Sequence, residues 1–279
     1  MDIIGKLVGL IRDTSSSLPE DVESALRRAL RREEKGSSAA VVLKTILDNV
    51  ALARERQSPL CQDTGTLAFY VDASLRRRVA PSVVKRAVAR ATALGYLRRN
   101  CIDAVTGFSH DDNCADGAPV IHYVDWQRPG AVSLLLKGGG SENMSRQYSL
   151  PDAALGAGRD LAGVRRCILD AVVKAQGFGC APGVLGVCVG GDRATAYEVA
   201  KEQLLRPLDD RAESPALAKL ERDVLKDANA LGVGPMGLGG KTTLLGVKIA
   251  ARTRVPASFF VTVAYMCWAC RRRSETVSE

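Results

Sequence analysis

The chain has 279 residues, 46% of them hydrophobic, with 39 Lys and Arg against 31 Asp and Glu for a net charge of +8. That is enough for one large domain or two small ones with a real core, and no apolar run reaches the roughly 18 residues that a membrane span needs. Aromatics are only 5% of the residues, and no zinc-finger or RNP-like pattern is present, so the positive charge suits small anionic substrates or an acidic partner better than nucleic acid.

The segment Met1–Asp13 mixes apolar and charged residues and reads as an amphipathic helix rather than a signal peptide, which places the protein in the cytoplasm. Pro19-Glu20-Asp21 starts a second helix that stops at Lys35-Gly36. Arg27-Arg28 and Arg31-Arg32 share that helix with Glu20, Asp21, Glu23, Glu33 and Glu34, as an ordinary solvated face does. Ser37-Ser38 opens a third helix, with Val41, Val42, Ile46, Leu47 and Val50 at helical spacing. The first 56 residues are thus a helical segment of a single domain that fills the chain.

Strands and helices then alternate. Gly65–Val71 is strand-like, Pro81–Leu94 a helix, and 101–119 a polar loop. Val120–Val124 and Ala131–Leu136 are strands joined by a turn at Gln127-Arg128-Pro129-Gly130. Asp160–Ala175, Arg193–Leu205 and Pro215–Leu231 are helices, while Val184–Val189, Thr242–Ile249 and Ala257–Tyr265 are strands. The expected class is mixed α/β (α+β), with helices packed on mixed sheets and functional loops at strand ends. No repeat, linker or domain boundary stands out.

Two glycine-rich loops invite a ligand. Lys137-Gly138-Gly139-Gly140-Ser141-Glu142-Asn143 follows an apolar strand, where three glycines suit close backbone approach to a ligand, or else a flexible surface loop. Gly232–Thr243 ends in Gly239-Gly240-Lys241-Thr242-Thr243, but Pro235 stands where a phosphate loop needs its first glycine. An anion-binding nest with Lys241 adding charge competes there with a plain tight turn.

Eight cysteines in a chain with an adequate core point to metal binding or burial rather than disulfides. Cys61 is followed by Gln62-Asp63-Thr64-Gly65, Cys180 sits in Gly179-Cys180-Ala181-Pro182-Gly183, and Cys267 ends an apolar strand. Singly, each is matched by the reading of a buried thiol. Together, three such thiolates could hold an iron–sulfur cluster and leave one iron without a protein ligand. Cys101, Cys114, Cys167, Cys188 and Cys270 read as buried thiols, and Cys267-x-x-Cys270 has no second pair to complete a zinc site. His122 lies in a strand and reads as structural, whereas His110 lies in the polar loop and could contact substrate. No Gly-x-Ser-x-Gly elbow is present, which removes a hydrolase triad.

Taken in order, Cys61–Gly65, Lys137–Asn143, Gly179–Gly183 and Gly234–Thr243 make the chain resemble the iron–sulfur (class I) fumarate hydratase family, which includes tartrate dehydratase. The resemblance is to the N-terminal catalytic domain, or the α subunit where the enzyme is split. It implies a [4Fe–4S] cluster on Cys61, Cys180 and Cys267 and a hydro-lyase reaction on a dicarboxylic 2-hydroxy acid, with fumarate/malate first, tartrate second and a non-catalytic cluster-binding homologue third. It also implies substrate contacts at Gln62, Gly140 and Arg98, joined by Lys241 from the nest reading. Asp63 is the candidate for the proton exchanged at the leaving hydroxyl. The family's C-terminal domain would come from a separate β subunit, in an oligomer of α2β2 type. One departure stands out. The family usually carries a histidine ahead of its Pro-Ala-Ser strand, and here the run is Arg254-Val255-Pro256-Ala257-Ser258.

Overall fold

The computed structural model describes residues 2–126 and 128–277. In chain order, helices α1 (Ile3–Ser16), α2 (Glu20–Arg32) and α3 (Ser38–Arg56) lead to strand β1 (Thr66–Asp72) and helix α4 (Pro81–Ala93). Next come β2 (Cys101–Ile102), β3 (Ser109–His110), β4 (Val120–Val124), β5 (Ala131–Lys137), α5 (Gly139–Asn143) and β6 (Arg146–Ser149). The remainder is α6 (Leu161–Ala175), β7 (Gly183–Gly190), α7 (Arg193–Gln203), α8 (Pro215–Ala230), β8 (Leu244–Arg252), β9 (Phe260–Met266) and β10 (Arg271–Thr276). The mixed α/β class is as expected, and no helix among the described residues is long and apolar enough to cross a membrane.

The chain forms two compact units. The first comprises the described parts of 1–19, 48–139 and 271–279, and the second comprises 20–47 and 140–270.

In the first unit the sheet runs β10-β5-β1-β4. Leu67, Phe69 and Val71 of β1 and Val132, Leu134 and Leu136 of β5 alternate onto one face, as the two-residue period of a strand requires. They pack there with Leu7, Leu10 and Ile11 of α1 and Val84, Ala87, Val88 and Ala91 of α4. On the opposite face Tyr70 stacks on His122 with ring centroids 4.9 Å apart, so His122 is a packing residue.

In the second unit the sheet runs β6-β9-β7-β8. Leu185, Val187 and Val189 of β7 share a core with Val164, Ile168 and Val172 of α6 and Leu220 and Val224 of α8. The alternate position Gly186 faces α7, where an added methyl would meet Ala200 and Leu204. A part-buried ionic cluster closes this unit. Arg206 grips Asp210 through Nε and Nη2 at 3.0 and 2.9 Å, and buried Lys248 donates to Asp210 Oδ1 at 2.8 Å. Glu221 accepts from Arg206 Nη1 at 3.1 Å and from the Ile249 and Ala212 amides at 2.7 and 3.1 Å. Burial works against the Asp210 charge, but the hydrogen bonds from Arg206 and Lys248 outweigh it and hold the carboxyl below its ordinary range.

Several expectations need correction. The two strands β4 and β5 are not a hairpin: β1 lies between them, parallel to β4 and antiparallel to β5. Of the expected turn between them, Gln127 lies outside the described residues. The polar loop 101–119 contains the short β2–β3 hairpin, and the triple-glycine segment turns into α5 instead of staying a loop. Arg271-Arg272-Arg273 opens strand β10, with Arg271 only 1% exposed.

Candidate active site

Within the first unit, Asp63 is the hub of the Cys61–Gly65 loop. Its Oδ1 accepts from the Gly65 amide at 2.8 Å and from Asn100 Nδ2 at 3.1 Å, and its Oδ2 accepts from the Gly139 amide at 2.6 Å. Arg271 Nη2 donates to the Asp63 main-chain oxygen at 2.8 Å. The glycines are explained by crowding. A side chain on Gly65, which has φ +75°, would strike the main chain of Lys137 and Gly138, and one on Gly138 would lie 3.0 Å from Asp63 Oδ2. Thr64 ties in the next segment: its hydroxyl donates to the Arg98 carbonyl at 2.8 Å and accepts from the Arg98 amide at 3.0 Å. Arg98 is thereby fastened beside the Asp63 turn, with its side chain exposed, as is that of Gln62. A cavity of about 330 Å3 opens here, lined among others by Gly65, Asn100, Asn113 and Gly139.

Within the second unit, three of the sequence motifs meet. Cys180 has a left-handed backbone, φ +50° and ψ +61°, which holds it at the end of a tight turn with its residue exposed. Its carbonyl accepts from the Trp268 amide at 3.2 Å, which puts the Cys267 segment alongside. The Met236 amide donates to the Ala181 carbonyl at 2.9 Å, which brings in the Gly234–Thr243 loop. Gly179 and Gly183 flank Cys180 because the Tyr265 ring occupies the space of any side chain at either position. Burial raises the Tyr265 phenol above its ordinary range, and Cys267 and Cys180 add to the shift.

The remaining cysteines are chemically different. Burial pushes the Cys114, Cys167 and Cys188 thiols up to about 11. Burial, then Asp112, raises Cys101. Metal ligation requires thiolate, so these four are poor donors. Cys101 and Cys114 are half-buried rather than buried, a correction to the sequence reading, whereas Cys167, Cys188 and Cys270 are buried as expected. Among the described residues no group of three or more His, Cys, Asp or Glu side chains is gathered as a metal-ligating set. Taken one by one, Cys61, Cys180 and Cys267 each lie on a loop and none is buried, which suits a thiolate donor better than the buried thiols do.

Other expected residues fall as follows. Gly140 is exposed, with open space where a side chain would project. The Lys241 amide donates to both oxygens of buried Glu33, at 3.0 and 2.9 Å, so the nest of that loop receives an internal carboxylate. His110 packs edge-on against Phe108. Val255 is 64% exposed. Arg254 and Arg159 hold its loop by donating to the carbonyls of Pro256 and Ala257. The sequence reading gave no role to Thr64, Asn100, Asn113 or Arg271: Thr64 lies inside the Cys61–Gly65 motif and Arg271 follows Cys267, whereas Asn100 and Asn113 belong to no motif.

These features define a mixed α/β scaffold that presents thiols and a fixed carboxylate on glycine-shaped loops. A family model described as fumarate hydratase (Fumerase) matches residues 5–276, and the chain belongs to that family. It is 48% identical over 94% of its length to a protein described as a fumarate hydratase class I from Geobacillus stearothermophilus, and spans 52% of that relative. The chain therefore spans about half the length of this relative. It is 33% identical to an L(+)-tartrate dehydratase subunit alpha described from Methanocaldococcus jannaschii, covering 98% of this chain and 96% of the relative. It is 28% identical to the L(+)-tartrate dehydratase subunit alpha of Escherichia coli, covering 97% of this chain and 88% of the relative.

Proposed function

We propose that this chain is the α-type part of a hydro-lyase that interconverts a dicarboxylic 2-hydroxy acid and its unsaturated product, with fumarate and malate as the leading pair. The observation that carries this is the meeting of the Cys180, Cys267 and Gly234–Thr243 segments in a chain matched to the fumarate hydratase family over residues 5–276. Cys61, Cys180 and Cys267 would hold a [4Fe–4S] cluster. When bound, such a cluster supplies a Lewis-acidic iron with a position open to a hydroxyl or carboxylate.

The chain's own residues would do the rest. A carboxylate offers about four lone-pair sites. Asp63 has three of them engaged by Gly65, Asn100 and Gly139. The remaining site on Oδ2 is aimed by that grip and would exchange the proton of the leaving hydroxyl. Arg98 would receive a substrate carboxylate in a two-pronged hydrogen bond, with Gln62 and the open flank of Gly140 completing the contact. Lys241 enters through its ammonium group, since its amide serves Glu33. The net charge of +8 would attract the dianion. A β-type polypeptide would supply the base at the neighbouring carbon. The relatives described as alpha subunits support that division, because the chain covers 96% and 88% of their lengths.

Tartrate is the second substrate reading, supported by those same relatives. A non-catalytic, cluster-binding role is the third, favoured by Val255 at the family's histidine position. The test is turnover by the anaerobically reconstituted complex with a β-type partner, offered malate, fumarate and tartrate separately. Fumarate and malate interconverting faster than tartrate is dehydrated supports the leading reading. Preference for tartrate moves it to the second, and a cluster-loaded complex inert to all three leaves the third.

A further inference from the structure

We propose that Asn113 is the positioning residue of the Asp63 centre, setting Arg98 and Asn100 against the carboxylate. The proposal rests on the reading of Asp63 and Arg98 as reaction-site residues and adds what aims them. The segment carrying Arg98 and Asn100 has no helix or strand of its own, so side-chain hydrogen bonds must hold it. Asn113 supplies them from a site only 1% exposed. Its Oδ1 accepts from the Asn100 amide at 2.7 Å. Its Nδ2 donates to the Arg98 carbonyl at 2.9 Å and to Thr92 Oγ1 at 3.0 Å. The Thr92 hydroxyl in turn donates to the Val88 carbonyl at 2.9 Å, which anchors the assembly in helix α4.

An unbroken run of contacts therefore leads from α4 through Asn113 to both ends of the 98–100 segment. From there Asn100 Nδ2 reaches Asp63 Oδ1, and the Arg98 main chain reaches Thr64. Asn113 has φ +59°, a conformation that asparagine tolerates better than most residues and glycine adopts freely. It also lines the same cavity as Asn100, Gly65 and Gly139. One side chain thus sets the backbone height of Arg98 and the reach of Asn100.

Asn113→Gly keeps the backbone conformation and deletes the side chain. In the reconstituted complex it should lower kcat/KM at least ~10-fold, the scale of losing one or two buried hydrogen bonds. It should also speed amide hydrogen exchange in segments 61–66 and 96–101, with the interiors of β1 and β5 unchanged. Asn113→Asp keeps the acceptor for Asn100 and loses the donor to Arg98. Its activity relative to wild type should recover as pH falls and the introduced carboxyl regains a proton to donate, a response that a filler role would not give. Unchanged exchange in Asn113→Gly overturns the proposal, as does a normal kcat/KM in an active complex whose exchange has sped up. An inactive wild-type complex would instead count against the proposed activity, and the exchange data alone would then judge Asn113.

Discussion

Arg271 and Asp63 are joined main chain to side chain: the buried guanidinium donates from Nη2 to the Asp63 carbonyl oxygen at 2.8 Å, while its buried Nε and Nη1 meet no acceptor among the described residues. A guanidinium stays charged in proteins, and an uncompensated buried cation is destabilising. The residue therefore sits there at a cost to stability, fixing the turn that carries Asp63 and follows Cys61.

Arg271→Met should accordingly leave thermal stability unchanged or raise it, because an apolar side chain of similar length removes the unpartnered nitrogens. It should lower kcat/KM of the reconstituted complex by at least ~10-fold, since the Asp63 turn loses its tether. Melting curves and rates check both halves. A large loss of stability with an intact rate would make Arg271 a packing residue only.

The thiols should sort into two groups. Cys61→Ala, Cys180→Ala and Cys267→Ala should each lower iron and sulfide content and the brown colour after anaerobic reconstitution. Cys114→Ala and Cys188→Ala should leave all three unchanged, because burial holds those groups as thiols near 11. Iron and acid-labile sulfide assays on purified protein read this directly.

At the family's histidine position, Val255 is 64% exposed and offers no hydrogen bond. Val255→His should improve kcat/KM for the preferred acid by up to ~10-fold, the scale of one hydrogen bond. No change in any of the three acids would mean that position 255 does not meet the substrate.

The ionic cluster of the second unit should dominate its response to acid. Asp210 has a lowered pKa in the folded state, so its contribution is fully present above the ordinary carboxyl value, about 4. It is lost as pH falls through the lowered value. Stability should therefore drop below pH ~4, and Asp210→Asn should flatten that drop while being less stable at neutral pH. Glu221→Ala, which leaves the buried Ile249 amide without its carboxylate while Arg206 keeps Asp210, should cost about 1–3 kcal/mol. Denaturation at several pH values measures both.

Much of this architecture was legible in the sequence, for physical reasons that also explain the failures. Helices such as α2 announce themselves through a proline and acidic start and an apolar stripe at Val22, Ala25, Leu26 and Ala29. β10 was hidden because Arg271 and Arg272 are buried charges that no periodicity rule assigns to a core. β6 was hidden because Arg146–Ser149 is a short edge strand of mostly polar residues. The placement of β1 between β4 and β5 depends on non-local pairing that a turn signal cannot reveal. At the candidate site, glycines betrayed the Cys61 and Cys180 loops because tight turns require them. Asn100 and Asn113 gave no such sign, since their roles arise from hydrogen bonds spanning 37 and 15 residues of sequence.

The central claim is tested most directly by fumarate released from malate by the anaerobically reconstituted complex, wild type beside Cys180→Ala. The account predicts steady release by the wild type and loss of both cluster and release in the variant. Equal release by the two, or a cluster-loaded wild type that forms neither fumarate from malate nor oxaloacetate from tartrate, would contradict it.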